Sequence, residues 1–166
     1  MRTILLTGDS RGVGLIIAQR LLESGYRIIG LSRNQTNGID ELVKKYGSSK
    51  FTHIDYDLLD SQGVKNLYRQ ELRSLTRGHG LFGFVNNAAM AYDDIITNLN
   101  LQSLEKMFKL NVFAPMMLTK YILRDMLLNK SKGSIVHISS ISAHTGYKGL
   151  AMYAASKGAM EAFSKN

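Results

Sequence analysis

The 166-residue chain contains no cysteine and no tryptophan, and it has only one proline. Without cysteine, neither a disulfide framework nor a thiolate metal site can form, and this composition suits a reducing compartment. No apolar run approaches the ~18 residues of a membrane span, and the first residues lack the apolar stretch of a signal peptide. We therefore expect a water-soluble, cytoplasmic protein that does not enter a membrane.

Acidic residues are outnumbered, with 13 Asp and Glu against 21 Lys and Arg, which gives a formal charge of +8. Such an excess can mark a nucleic-acid surface, an acidic partner, or a basic surface that water simply solvates. The basic residues are scattered, and the densest groups, Lys44-Lys45 and Lys130-Ser131-Lys132, have no interleaved aromatic residues. A solvated surface is the favoured interpretation, and we expect no nucleic-acid partner.

Short apolar, β-branched runs alternate with segments of helical period, which predicts βαβ units and a parallel sheet covered on both faces. The predicted strands are Thr3–Thr7, Arg27–Ser32, Phe51–Tyr56, Leu81–Asn86 and Ser134–Ser139. The predicted helices are Val13–Ser24, Ile39–Tyr46, Ser61–Thr76, Leu101–Leu110, Val112–Leu128 and Tyr153–Lys165, with Pro115 in the first turn of the fifth. We expect one domain over residues 1–166, an α/β doubly wound Rossmann-like sheet of order 3-2-1-4-5.

A glycine-rich segment, Thr7-Gly8-Asp9-Ser10-Arg11-Gly12-Val13-Gly14, joins the first predicted strand to the first helix. In this position glycines let backbone N–H groups and a helix N-terminus approach a pyrophosphate, although turns alone also use glycine. The context favours a phosphate-binding loop. Asp9 is out of place there, because a carboxylate repels phosphate unless it points outward or caps a backbone N–H; the sequence leaves both arrangements open.

The second strand ends in Ser32-Arg33-Asn34, where an NAD-binding domain would carry an acid for the ribose 2′-hydroxyl. Arg33, together with Arg11 of the glycine loop, could instead grip a 2′-phosphate. The plainer alternative is that both arginines are merely exposed. We expect NADP(H) as the cofactor.

Tyr153 and Lys157 lie four residues apart in a predicted helix and so share one face. A phenol exchanges protons poorly near neutral pH, and an ammonium group one turn away favours its phenolate form. In isolation, such a pair is usually an ordinary exposed helix pair. The four histidines, His53, His79, His137 and His144, lack metal-ligand spacing, so no metal is expected; His144 and Tyr147 could line a substrate entrance or an exposed loop.

The TGxxxGxG spacing and the YxxxK pair together resemble the short-chain dehydrogenase/reductase family, and further matches follow in order along essentially the whole chain. Asp57-Leu58 resembles the adenine-contacting pair, and Asn86-Asn87-Ala88-Ala89 resembles the NNAG motif. Ser140 precedes Tyr153 by thirteen residues, as the substrate-orienting serine does. Asn111, at the start of the predicted Val112 helix, matches the asparagine that holds a water.

The resemblance implies specific roles for the matched residues. The catalytic set is Tyr153, Lys157, Ser140 and Asn111. The cofactor set is Gly8, Ser10, Arg11, Gly12, Val13, Gly14, Arg33, Asp57, Leu58, Asn86, Ala88, Tyr153 and Lys157. Tyr153 would donate a proton to a substrate carbonyl that receives hydride from NADPH, or accept one in reverse.

The resemblance also implies a hydride-transferring oxidoreductase acting on a small carbonyl or alcohol, with 3-oxoacyl-carrier-protein reductase the expected type and an acyl-carrier-bound substrate one option. A sugar or polyol dehydrogenase and a noncatalytic NADP(H)-binding module remain alternatives. Relatives continue beyond the YxxxK helix and assemble as homodimers or homotetramers. We therefore expect the C-terminal part of the family domain to be missing, with the fifth strand left as a sheet edge.

Overall fold

Five strands form one parallel sheet in the computed structural model, which describes residues 1–76 and 80–166. The strands are β1 (Thr3–Thr7), β2 (Arg27–Ser32), β3 (Phe51–Asp55), β4 (Gly83–Asn86) and β5 (Ser134–His137). Their order is β3-β2-β1-β4-β5, as the sequence predicts, and all neighbours pair in parallel. His79, one of the four histidines for which no metal is expected, lies outside the described residues.

Helices connect the strands and cover both faces of the sheet. They are α1 (Gly12–Glu23), α2 (Asn37–Tyr46), α3 (residues 64–75), α4 (Leu101–Phe108), α5 (Ala114–Leu128) and α6 (Ala151–Ser164). Short 3₁₀ turns lie at Ile96–Asn98 and Ile141–Ala143. Helix α3 begins three residues later than predicted and contains a π turn, Tyr68–Leu72, in its middle. Within the described residues, no helix is long and apolar enough to cross a bilayer.

The sequence prediction of two separate helices, ending at Leu110 and starting at Val112, was wrong. Helices α4 and α5 are continuous through a π turn, Lys109–Phe113, in which the N–H of Ala114 donates to the carbonyl of Lys109, five residues back. Pro115 does lie in the first turn of α5, as predicted, but it follows the π turn instead of opening a separate helix. The physical reason is that the wider π turn accommodates a residue that lacks an N–H and crowds the preceding turn.

Two apolar layers, one on each face of the sheet, hold the helices in place. One face joins strand residues to α3 and α5, through Leu5, Ile29, Leu31, Phe84, Leu72, Leu118 and Ile122. The other face joins strand residues to α1 and α2, through Ile4, Leu6, Ile28, Phe51, Ala18, Leu22, Ile39 and Leu42. Because successive strand residues point to opposite faces, continuous apolar runs such as Thr3–Thr7 serve both layers.

Strand β5 is an edge of the sheet, as the sequence predicts. Its residues alternate between exposed and half-buried, and Val136 is 46% exposed, whereas β1 is buried along its whole length. The carboxyl ends of all five parallel strands meet along one side of the sheet, which is where ligands bind in doubly wound folds.

The two leucines Leu118 and Leu127, both on α5, provide a matched test of this packing. Leu118 is fully buried, whereas Leu127 is 71% exposed. We expect Leu118→Ala to lower the free energy of unfolding by about 2 to 5 kcal/mol, because it removes buried contacts and leaves a cavity. Leu127→Ala should change it by less than about 0.5 kcal/mol. Equal effects in urea denaturation would contradict the assigned packing of α5.

Candidate active site

The glycine loop folds back on itself between β1 and α1. Gly8 and Gly12 adopt the left-handed backbone conformation, with φ of 73° and 55°. A Cβ built on Gly14 would lie 1.9 Å from the carbonyl oxygen of Gly8, so only glycine fits at that position. These residues form a concave cradle of bare backbone at the N-terminus of a 12-residue helix. Such a cradle is suited to an anion, because the backbone lies open at a helix N-terminus, where the helix dipole favours negative charge.

The loop is fastened to the end of β4 by hydrogen bonds that the sequence analysis did not anticipate. The Thr7 hydroxyl accepts the backbone N–H groups of Asn87 and Ala88, each at 3.1 Å, and it lies 3.4 Å from the Asn86 side-chain oxygen. The Asn87 amide donates to the carbonyls of Thr7 at 3.0 Å and Gly8 at 3.2 Å. Asn87 therefore bonds to Gly8 itself, whereas the bond from the loop to the buried Asn86 comes from Thr7.

A cleft of about 650 Å³ opens at the carboxyl ends of the strands, a size typical of small-molecule sites. Of the sequence-predicted cofactor residues, those that line it are Gly8, Ser10, Arg11, Val13, Gly14, Arg33, Asp57, Leu58 and Ala88. Lining residues that the sequence analysis missed include Thr36, Tyr56, Asn87, Met90, Lys106 and Leu110. The two residues of the predicted pair Asp57-Leu58 have different surroundings. Leu58 packs in the core, whereas the Asp57 carboxylate accepts the N–H of Leu59 at 2.9 Å.

The cleft is positively charged. Among its described lining residues, the cations are Arg11, Arg33 and Lys106, and the carboxylate is Asp57. All three cations are exposed, so their charges are available to a ligand. Arg33 follows β2 directly, and the hydroxyl of neighbouring Ser32 donates to the carbonyl of Asn34 at 3.4 Å, which holds this turn. The cleft is therefore matched to a polyanionic ligand.

Asp9 points away from the cleft, which resolves the arrangement that the sequence left open. Its side chain is fully buried, and Oδ2 lies 2.7 Å from Nδ1 of His53 on β3. The carboxylate neither caps the loop nor turns into solvent. His53 could not be selected from sequence, because its partner is 44 residues away and no periodic pattern connects the two positions.

Tyr153 and Lys157 lie on the inner face of α6, next to the end of β5. Lys157 is buried, and Nζ donates to the carbonyl of Ile138 at 2.8 Å. Nζ lies 5.7 Å from the centre of the Tyr153 ring. Burial lowers the pKa of Lys157 below its ordinary value, because the charged form loses hydration. The paired phenol and ammonium group that the YxxxK spacing predicts are therefore close in space.

Ser140 begins the 3₁₀ turn Ile141–Ala143 that follows β5. Its Oγ accepts hydrogen bonds from the Ser142 N–H at 3.3 Å and the Ser142 hydroxyl at 2.9 Å. The preceding hydroxyl, of Ser139, donates to Glu161 on α6, and Glu161 also lies 3.0 Å from Nε2 of His144. Helix α6 is thereby joined to both ends of the segment that carries Ser140.

Asn111 lies in the π turn between α4 and α5, not at a helix start. Its side-chain amide accepts the Met90 N–H at 2.9 Å and donates to the Met90 carbonyl at 2.8 Å and the Ser156 hydroxyl at 3.0 Å. These bonds join the segment after β4 to α6 beside Lys157. The Asn111 backbone carbonyl would normally accept the N–H four residues later, but that residue is Pro115, which has none.

No group of three or more acidic or histidine side chains in the described residues is arranged to hold a metal ion. His53 and His144 are each paired with carboxylates, as described above. The imidazole of His137 packs against the rings of Phe84 and Phe163, and burial lowers its pKa.

Comparison with known proteins identifies the family. Residues 2–166 match the short chain dehydrogenase family, to which the chain therefore belongs. It is 32% identical to L-xylulose reductase of Caenorhabditis elegans over 96% of this chain and 62% of that protein. It is 30% identical to the 3-oxoacyl-acyl-carrier-protein reductase FabG of Aquifex aeolicus over 98% of this chain and 64% of that protein.

A solved structure shows the same fold. A short-chain dehydrogenase from Streptomyces avermitilis superimposes with a TM-score of 0.88 at 30% identity, covering 99% of this chain and 58% of that one. The chain thus spans a little under two thirds of the length of the relatives that it matches.

Two glycines provide a matched test of the loop geometry. Gly14→Ala places a methyl group 1.9 Å from the Gly8 carbonyl, whereas Gly158→Ala on α6 meets nothing within 4 Å. We expect Gly14→Ala to lower the free energy of unfolding by at least about 2 kcal/mol, because backbone must move. Gly158→Ala should raise it by about 0.5 to 1 kcal/mol, because alanine suits a helix interior better. Chemical denaturation measures both changes. A Gly14→Ala variant as stable as the unchanged chain, or a destabilised Gly158→Ala variant, would contradict this loop geometry.

Proposed function

We propose that this chain is the cofactor-binding and catalytic part of an NADP(H)-dependent oxidoreductase that interconverts a carbonyl and an alcohol. One observation carries the proposal: the buried Lys157 ammonium group lies beside the Tyr153 phenol at the same edge of the sheet as the glycine cradle. A cradle for phosphates and a proton-exchanging pair at one sheet edge meet the two needs of nicotinamide chemistry, which are cofactor binding and proton transfer.

The residues of the cleft fit a dinucleotide. The bare backbone of Gly8, Gly12 and Gly14 at the start of α1 would hold the pyrophosphate, since a Cβ at Gly14 would fill the space that the loop needs. Residues Ser10, Val13, Asp57, Leu58 and Ala88 line the same cleft and would contact the adenosine half or the linking phosphates. Asn86 would act from beneath, through its contact with Thr7.

The charge at the end of β2 supports NADP(H) over NAD(H). Ser32, Arg33 and Asn34 line the cleft where an acid would be needed to accept the ribose 2′-hydroxyl. The exposed guanidinium groups of Arg33 and Arg11 suit a 2′-phosphate, to which they would donate charge-assisted hydrogen bonds. NADH lacks the 2′-phosphate, so these guanidinium groups would lose their charge-assisted partner and NADH would bind more weakly.

When bound, NADPH supplies the hydride, and the side chains of this chain manage the proton. Tyr153 would donate its phenolic proton to the substrate oxygen, and Ser140 would orient that oxygen. The Ser140 Oγ already accepts from Ser142, so its own O–H remains available to donate. Lys157 donates one N–H to the carbonyl of Ile138, and its other two N–H groups would hold the cofactor ribose while the ammonium charge stays near the Tyr153 ring.

Asn111 would support this proton transfer in a way that its side chain does not reveal. The side-chain amide is engaged by Met90 and Ser156, so the backbone carbonyl, whose usual α-helical donor is absent at Pro115, is the group that would hold a water near Lys157. We therefore propose that Asn111 acts in the proton relay through its main chain, while its side chain positions α6.

The substrate class is proposed from the named relatives. Both are reductases by name, one of L-xylulose and one of an acyl-carrier-protein-bound 3-oxoacyl group. We propose a ketoreductase of the 3-oxoacyl type as the first candidate and a sugar or polyol dehydrogenase as the second. A noncatalytic NADP(H)-binding module is the alternative of a different kind, and the Tyr153 variant below separates it from both enzymes.

Cofactor choice can be tested at Arg33. We expect Arg33→Asp to raise the Kd for NADPH by about 10- to 100-fold, because charge-assisted bonds to the 2′-phosphate are replaced by repulsion. The Kd for NADH should fall or stay unchanged. Cofactor fluorescence titration measures both constants. Arg69→Asp, at another exposed arginine, on α3, serves as the control and should have little effect. Equal affinities of the unchanged chain for NADPH and NADH would contradict the proposed preference.

Proton donation can be tested at Tyr153. We expect Tyr153→Phe to lower kcat for NADPH oxidation with a panel of ketones by at least about 100-fold, because the phenol is the general acid. The NADPH Kd should change by less than about threefold, since the ring remains. Tyr46→Phe, on the remote helix α2, should keep full activity. Unchanged turnover in Tyr153→Phe would refute the assignment of Tyr153 as the acid. Tight NADPH binding without turnover in the unchanged chain and in both variants would favour the noncatalytic module.

A further inference from the structure

The carboxylate of Asp9 is enclosed directly beneath the glycine loop. The residue is fully buried, Oδ2 contacts His53 at 2.7 Å, and Oδ1 has no hydrogen-bond partner within the part of the chain that the structure describes. A buried carboxylate with one unsatisfied oxygen is costly unless a positive charge lies beside it. His53, whose side chain is only 4% exposed, is the group in position to supply that charge.

The fold makes room for this contact at Gly30. Strand β2 lies between β1 and β3, and Gly30 pairs with Leu6 on one side and with His53 on the other. A Cβ on Gly30 would lie 1.8 Å from Oδ2 of Asp9. The absence of a side chain at this position is therefore what lets the Asp9 carboxylate pass over β2 and reach β3.

Both ring nitrogens of His53 face carboxylates. Nδ1 contacts Asp9, and Nε2 lies 3.1 Å from Oδ1 of Asp55, which is largely exposed. Only the doubly protonated imidazolium can donate to both partners. Burial lowers the pKa of His53, but the hydrogen bonds and charges of Asp9 and then of Asp55 outweigh it, so the pKa of His53 is raised above its ordinary value.

The surroundings of His53 leave these two acids as its electrostatic partners. Among the described residues, the charged groups that act on His53 are Asp9 from the loop and Asp55 on its own strand. Helix α2, which packs on β3, contributes the apolar Ile39 and Leu42 to the buried layer on this face. The charge at the base of the loop therefore depends on a single imidazole.

The position of the pair links it to ligand binding. Asp9 is followed by Ser10 and Arg11, both of which line the cleft where the cofactor phosphates would lie. The Ser10 carbonyl accepts the Thr36 hydroxyl at 2.7 Å, so the loop is held from the α2 side as well. A negative charge immediately behind the loop opposes a pyrophosphate in front of it unless the imidazolium cancels that charge.

We propose that His53 is a positioning residue for the cofactor loop: as an imidazolium it holds Asp9 beneath the loop and cancels its charge, so that nicotinamide nucleotides bind tightly only while His53 is protonated. The proposal rests on the cofactor binding proposed above. The direction of the pH dependence follows from the protonation of His53. As pH rises through the raised pKa of His53, the imidazolium loses its proton, Asp9 is left uncompensated, and cofactor affinity falls.

The same titration affects folding, and its sign is fixed by the direction of the shift. A histidine whose pKa is higher in the folded protein stabilises the fold fully below about 6.5, the unfolded value, and loses that contribution as pH rises through the folded pKa. The unfolding midpoint in urea should therefore decrease above neutral pH. Asp9→Asn should remove much of this decrease, because the partner charge is gone.

The decisive experiment is a double-mutant cycle on cofactor binding between pH 6 and pH 9. The variants are Asp9→Asn, His53→Gln and the double variant, and the probes are NADPH and NADH, the second of which carries no titrating 2′-phosphate. From low to high pH, we expect the Kd of the unchanged chain to rise by about five- to tenfold, as one uncompensated charge near the phosphates requires. Asp9→Asn should flatten that profile.

His53→Gln should bind weakly at every pH, because a neutral amide cannot cancel the Asp9 charge, and adding Asp9→Asn should restore binding by a similar five- to tenfold. This rescue separates an electrostatic role from a merely structural one, in which the two defects would add. Glu41→Gln, which removes one negative charge from an exposed position of α2, is the control and should keep the original profile. Should His53→Gln lose its cooperative unfolding transition, the flattening by Asp9→Asn decides alone.

The possible failures are distinguishable. Tight cofactor binding with a flat pH profile in the unchanged chain, or a double variant no better than His53→Gln, would overturn the role of His53 and leave the proposed function standing. Failure of the unchanged, folded chain to bind either nucleotide at any pH would overturn the proposed function and this inference with it.

Discussion

The contact between the glycine loop and the end of β4 is the constraint on which the rest of the site depends. Gly14 can approach the Gly8 carbonyl only because it lacks a side chain, and Asn87 donates to that same carbonyl and to the one before it. Thr7 completes the junction by accepting two N–H groups from the β4 end. The loop that opens the cleft is therefore held rigidly by the adjacent strand rather than by its own sequence alone.

Helix α6 is anchored to this framework at three points that surround Lys157. Lys157 itself donates to the end of β5, the neighbouring Ser156 is bonded to Asn111 in the π turn, and Glu161 accepts from Ser139. Each anchor joins α6 to an element that also reaches the sheet edge. The Tyr153 phenol is thus positioned by hydrogen bonds of its helix neighbours, which restrict the helix more than apolar packing alone would.

The sequence predicted the features that local patterns encode. Short apolar runs identified the five strands, and the glycine spacing located the loop, because both signals lie within a few adjacent positions. The strand order followed from the handedness of the crossovers between parallel strands. The missed features depend on distant or main-chain partners. The Asp9 and His53 pair spans 44 residues, Lys157 bonds a backbone carbonyl, and Asn87 was passed over for its buried neighbour. The π turn was missed because Pro115 reads as a helix start.

That π turn has a consequence for the phase of the whole segment from α4 to α5. A π turn is one residue longer than the α-helical turn it replaces, and each residue of an α-helix advances the side chains by about 100°. Every residue beyond Phe113 is therefore rotated by that angle relative to an uninterrupted helix, which is what brings Leu118, Ile122 and Met126 onto the sheet. The extra residue therefore sets which face of α5 meets the sheet. A single deletion between 109 and 113 would make a more regular helix and turn its apolar stripe away from the core.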